Sequence, residues 1–173
     1  VFNQASGQTL SIGENGGTTA TDLGIRTLNE NTPLSDLNQG GGVTGEAGKD
    51  DFRIIARNGQ IVDVSVEGAT TFGDVIDAIN DSAEAGSVRI RASLAATGNG
   101  IQITDRTAGS SPIRIERLNL SHAPDDLGLT AAVVGQNVLT GADVNMQAGG
   151  GILGALIDLE NALRTNDTVA ITV

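Results

Sequence analysis

The sequence predicts an α+β fold: a small antiparallel sheet of hairpins with one packed helix, in the order β-β-α-β-β-β, followed by a C-terminal amphipathic helix. Three observations point there. Short β-rich runs with alternating polarity are separated by Asn-Gly and Gly-Asn-Gly turns, and a single capped helical pattern interrupts them. The large side chains are almost wholly aliphatic, because the 173 residues include three phenylalanines and no tryptophan, tyrosine or cysteine.

The first two strands fall in residues 51–57 and 61–66, on either side of Asn58-Gly59. A two-residue loop would set Ile54 against Asp63 and Phe52 against Ser65, mixing apolar and polar residues on one face. A three-residue loop, Arg57-Asn58-Gly59, sets Ile54 against Val62 and Phe52 against Val64. That register is preferred: it needs Gly59 left-handed in a bulge, and it buries one continuous aliphatic stripe. Thr71-Phe72-Gly73-Asp74 then opens a helix, with Thr71 as the cap and Asp74 as the acid of a capping box. Val75, Ile76 and Ile79 form its apolar face, and Gly86 supplies the stop. Residues 88–94 alternate, 97–100 turn the chain, and 101–103 return it. A further strand covers 113–118 after Ser110-Ser111-Pro112, and a short apolar turn occupies 126–129. A helix on one face of such a sheet covers its aliphatic stripe once.

Glycine marks the larger joints. Gln39-Gly40-Gly41-Gly42 and the run at 147–151 bracket the patterned middle, giving an N-terminal flank with a first boundary element (1–43), an α+β module (44–129), and a return segment with an amphipathic helix (130–173). In that last helix Ile152, Leu153, Leu156, Leu159, Ala162 and Leu163 recur at three- and four-residue spacing. Residues 19–25 (TATDLGI) echo 123–129 (APDDLGL), which suggests a chain built by repeating units.

Composition excludes several functions. With 10 basic and 21 acidic side chains the net charge is −11, which opposes binding to a phosphate backbone, and no basic stripe with interleaved aromatics exists to stack bases. Nucleic acid is therefore not an expected partner. Nor is a membrane: no apolar run approaches the roughly 18–20 residues of a span. Val1 is not a natural start, so the chain reads as an interior segment.

Chemistry is equally sparse. Without cysteine there is no thiolate nucleophile or cysteine-bound metal, and the one histidine, His122, has no partner at catalytic spacing. Residues 42–49 only faintly resemble a phosphate loop, since Val43 stands at the first required glycine and Asp50 at the Ser or Thr that would hold magnesium. Asp50-Asp51 and Asp125-Asp126 read as solvated turn and cap carboxylates, being in neither an EF-hand loop nor glycine-aspartate repeats. Asn80, Asn119 and Asn166 open glycosylation triplets of the kind chance supplies. No catalytic, cofactor or metal residue is nominated, and no cofactor is expected. One charge pattern remains. In the strand phasing, Arg53, Arg57, Arg89 and Arg91 point away from the aliphatic face, either as cross-strand ion-pair partners on a solvated sheet or as a subunit-contact face for an acidic neighbour.

Thr32-Pro33-Leu34-Ser35-Asp36-Leu37-Asn38, the three glycines and Val43, the hairpin from Phe52 to Val66, Ala69-Thr70-Thr71 and the Asp74 to Asn80 helix start together resemble the module inserted in flagellins and flagellar hook-associated proteins. The later strands and the ending at 126–129 continue the likeness, and residues 151–167 resemble the stretch leading into the C-terminal helices of the hook-filament junction member of that family. The resemblance implies a structural, non-enzymatic subunit, exported unfolded and assembled outside the cell in the bacterial flagellum. Its partners would be other flagellar subunits of hook, junction and filament, reached through terminal helices that this segment lacks, so the segment alone is expected to be monomeric with its ends close together. Alternatives are a central region of flagellin or of the filament cap protein and, from another class, a calcium-binding bacterial surface or adhesin domain.

Overall fold

The computed structural model describes residues 12–130, 133–135 and 137–144, which belong to one unit, Ile12–Asn145. The elements are β1 (Glu14–Asn15), α1 (Thr19–Asp22), β2 (Phe52–Ile55), β3 (Ile61–Val64), α2 (Phe72–Ala85), β4 (Ile90–Leu94), β5 (Thr97–Gly98), β6 (Ile101–Asp105), β7 (Arg114–Arg117), α3 (Ala123–Asp126), β8 (Val133–Val134) and β9 (Val138–Thr140). All strand pairs are antiparallel, in sheets ordered β3-β2-β7, β4-β6-β9-β8 and β1-β5. The class is α+β, with small antiparallel sheets and one main helix. The expected helix over residues 152–163 lies outside the described residues.

The first hairpin adopts the three-residue loop. Phe52 pairs with Val64 and Ile54 with Val62, the Ala56 N–H donates to the Gln60 carbonyl at 2.8 Å, and Gly59 is left-handed at φ 85°. Phe52, Ile54, Val62 and Val64 are buried as one stripe. The helix begins as its sequence indicates. Thr71 Oγ1 accepts from the Asp74 N–H at 3.2 Å, and Asp74 Oδ2 accepts from the Thr71 N–H at 2.9 Å, completing a reciprocal box. The helix ends at the expected glycine. Gly86 is the C-cap but stays right-handed at φ −78°, and the left-handed residue is Ser87, at φ 53°.

The strands of the 44–129 segment are divided between two larger sheets, with β5 set apart against β1. β7 joins β2, with Ile115 opposite Ile54, while β4 pairs with β6 and continues through β9 to β8. Helix α2 covers both, packing Phe72, Val75, Ile76, Ile79 and Ala83 against β3 on one side and β4 on the other. The resulting core is continuous and includes Leu28, Leu34 and Leu37 from the segment before residue 44. A second link between the sheets is polar: buried Asp105, at the end of β6, accepts from the backbone N–H of Arg57 at 2.6 Å and of Thr107 at 2.7 Å.

The internal echo has a structural counterpart. α1 and α3 are each four residues long and each is followed by Leu-Gly with the glycine left-handed, Gly24 at φ 65° and Gly128 at φ 70°. Their surroundings differ: Leu127 and Leu129 are in the core, whereas Leu23 is 66% and Ile25 49% exposed. No helix among the described residues is long and apolar enough to cross a membrane.

Two outcomes test the cap. Thr71→Ala removes one acceptor from the helix start and lowers unfolding stability by about 1 kcal/mol in urea, with the m-value unchanged. The Asp74 carboxyl is held down at about 2 from its ordinary 3.8, chiefly by the N–H groups of Thr70 and Thr71. A folded-state pKa below the unfolded one means the carboxylate stabilises the fold above pH 3.8, and that contribution disappears as the pH falls from 3.8 through about 2. In an acid titration followed by circular dichroism, Asp74→Asn is therefore less stable than wild type at pH 7, and the gap closes toward pH 2.

Candidate functional site

Two arrangements stand out, a polar clasp where the chain enters and leaves the unit, and a surface rich in arginine. The clasp is built on Arg26, which is 9% exposed. Its Nη2 donates to the carbonyls of Ala95 at 2.8 Å and Gly98 at 3.2 Å, and its Nε donates to Asn99 Oδ1 at 3.3 Å. The Asn99 amide nitrogen, itself buried, reaches the Ile12 carbonyl at 3.3 Å, Thr27 Oγ1 at 2.9 Å and Asp143 Oδ2 at 3.1 Å. One side chain thus bonds both the inbound segment at residue 12 and the outbound segment at residue 143. Burial pushes the Arg26 pKa down, and the Glu14 carboxylate works in the opposite direction. Glu14 is itself held below the usual carboxylate range, first by the backbone N–H of Thr21 at 2.7 Å. Space at the clasp is tight. A Cβ on Gly13 would lie 2.5 Å from the Gly98 carbonyl carbon, so the β1–β5 approach requires glycine there.

The four arginines singled out from sequence divide in two. Arg53 forms a bidentate pair with Asp63, Nε to Oδ1 at 2.6 Å and Nη2 to Oδ2 at 2.8 Å, and Glu116 faces it from β7. The hydrogen bond with Asp63 is the main reason the Arg53 pKa rises and the Asp63 pKa falls. Arg57 is half-buried beyond the end of β2, with its Nε out of solvent. Arg89 and Arg91 belong to the other sheet and are exposed. They line a shallow groove of about 310 Å³ together with Arg106, Asn80 and Glu84. Because Ile90 pairs with Asp105, Arg89 and Arg106 stand opposite each other one step past the ladder, and the Arg106 N–H donates to the Arg89 carbonyl at 2.8 Å. Arg106 was not among the residues expected from sequence. Extending the β4–β6 register to the end of its strands would have found it.

Three of the four acidic candidates are tied down within the fold, Asp51 and Asp126 by backbone N–H groups and Asp125 by side chains. Asp51 is 1% exposed rather than solvated, a correction to its reading as a surface turn residue, because its two oxygens accept from the N–H groups of Glu46 at 2.8 Å and Val66 at 2.7 Å. Asp125 pairs with Arg117 and accepts from the Thr130 hydroxyl, and Asp126 accepts from the Thr44 N–H at 2.9 Å. His122 is exposed at the start of α3. Among the described residues no group of three or more His, Cys, Asp or Glu could hold a metal ion. The Asn80 amide is bonded to both the N–H and the carbonyl of Ala92, closing the outer edge of β4 at that point.

No protein-family model, curated protein or solved structure matches the chain.

Asn99→Ala removes the bonds that Asn99 makes to Arg26, Ile12, Thr27 and Asp143, so urea unfolding should show a loss of about 1–3 kcal/mol.

Proposed function

We propose that the chain is a structural, non-enzymatic part of a bacterial flagellar subunit, the outward-projecting central region of a hook-associated protein at the hook-filament junction. The observation that supports this most is the convergence of residues 12 and 143 on Asn99. A module whose two ends leave from one point can be inserted in a helical subunit without separating the helices on either side of it. The hairpin register and the capped helix, both in the stretch that carries the family likeness, agree with the same reading. On this account the terminal helices of the full subunit contact hook, junction and filament neighbours outside the cell, and the clasp sets the angle at which the module stands away from them.

Antibodies raised against the 173-residue protein, applied to intact flagella of the source cells and viewed by gold labelling, should mark a single band between hook and filament. Label along the whole filament would assign the chain to flagellin, and label at the distal tip to the cap. Flagella without label would overturn the flagellar reading. Calcium at about 1 mM should leave the Tm unchanged. A rise of several degrees would favour a calcium-binding surface domain instead.

A further inference from the structure

We infer that the Arg89–Arg91–Arg106 groove is a docking site for the acidic stripe of α2 on a second copy of this chain, joining copies head to tail. The inference rests on the layout of charge and is independent of the flagellar reading. Three exposed arginines share the groove with one acid, Glu84. Two of them, Arg89 and Arg106, stand directly across the strands from each other, an arrangement that is unfavourable unless an anion lies between them. None of the three forms an ion pair among the described residues.

The complementary surface lies on the same chain. Asp74, Asp77, Asp81 and Glu84 are exposed at spacings of three and four along α2, which places them in one row. The helix has no basic residue. Asp74 is occupied by the cap, but Asp77 and Asp81 have no ion-pair partner among the described residues. The spacings match. Four helical residues advance about 6 Å, and two strand residues about 6.8 Å, so Asp77 and Asp81 can meet Arg91 and Arg89 together. Arginine suits the role because its planar fork accepts a carboxylate with two parallel bonds. The two patches adjoin at Glu84 but present different residues, Asp77 and Asp81 on one copy against Arg89 and Arg91 on the other, so the contact is heterologous and leaves one free patch at each end. The net charge of −11 opposes association of free copies, so the contact is weak and is read at high protein concentration and low salt.

The test uses the 173-residue protein and two charge-swapped variants, Arg89→Glu/Arg91→Glu and Asp77→Lys/Asp81→Lys, each checked for wild-type circular dichroism and Tm. Arg89→Gln/Arg91→Gln and Asp77→Asn/Asp81→Asn replace either swap that fails that check. In sedimentation equilibrium up to about 1 mM protein, wild type should show concentration-dependent growth beyond the dimer, weakened at least about tenfold by raising NaCl from roughly 0.05 to 0.5 M. Each variant alone should remain monomeric. The two mixed should associate, since one supplies an intact acidic stripe and the other an intact arginine groove, and the reversed patches pair in turn as glutamate with lysine. The neutral Gln and Asn variants mixed should stop at a one-to-one dimer. Amide shifts at Arg89, Arg91 and Arg106 in one partner and at Asp77 and Asp81 in the other would locate the contact. A wild-type protein that stays monomeric, association that survives the arginine substitutions, or a mixture that stays monomeric would each overturn the proposal.

Discussion

The fold depends on the burial of one helical stripe. Phe72, Val75, Ile76, Ile79 and Ala83 project from α2 into the space between two sheets that share no strand, and the core is continuous because this stripe touches both. A chain with three phenylalanines and no other aromatic residue has few large side chains to spend, and two of the three, Phe52 and Phe72, are fully buried here. Area removed from water is the main favourable term in such a body, so the position at which α2 starts matters. The Thr71–Asp74 box fixes that position. The Phe72 N–H and the Gly73 N–H also donate to the carbonyls of Thr32 and Glu30, tying the same turn to the segment before the first sheet.

The parts of the fold legible in the sequence are those decided within a few residues. The hairpin register followed from asking which loop length puts Phe52, Ile54, Val62 and Val64 on one face, and the helix start followed from a threonine and an acid three residues apart. The less legible parts depend on partners far along the chain. The pairing of β7 with β2 joins residues about 60 positions apart, and no local pattern distinguishes it from a continuation of β6. Leu28, Leu34 and Leu37 lack a helical or strand period, so their place in the core was not visible beforehand. Asp51 looked like one of two adjacent turn acids, yet its side chain is the anchor for the Glu46 and Val66 amides. Of the arginine pattern, the outward phase of Arg89 and Arg91 was readable, whereas their separation from Arg53 onto another sheet, and the company of Arg106, were not.

Several compositional features find a structural use. A low count of basic residues does not mean that each is idle: Arg53 bridges β2 and β3 through Asp63, Arg117 ties β7 to α3 through Asp125, and Arg26 binds strand ends through backbone carbonyls. Among the arginines with no ion pair in the described residues, Arg89, Arg91 and Arg106 are gathered in a single groove. Glycine likewise permits close approach at the clasp, where β1 lies against β5. An acidic, glycine-rich, cysteine-free chain is thereby compatible with a well-defined body whose two ends meet at one asparagine.

That closure is the central claim, because the proposed function rests on it. The chain contains no cysteine, so nitroxides attached at Ile12→Cys and Val144→Cys report only on those two positions. With Ile12 and Asp143 both bonded to the Asn99 amide, the frozen-solution spectrum of the doubly labelled protein should be broadened by dipolar coupling relative to the sum of the two singly labelled spectra. Superimposable spectra, in a protein with wild-type circular dichroism, would place the ends apart and contradict the account.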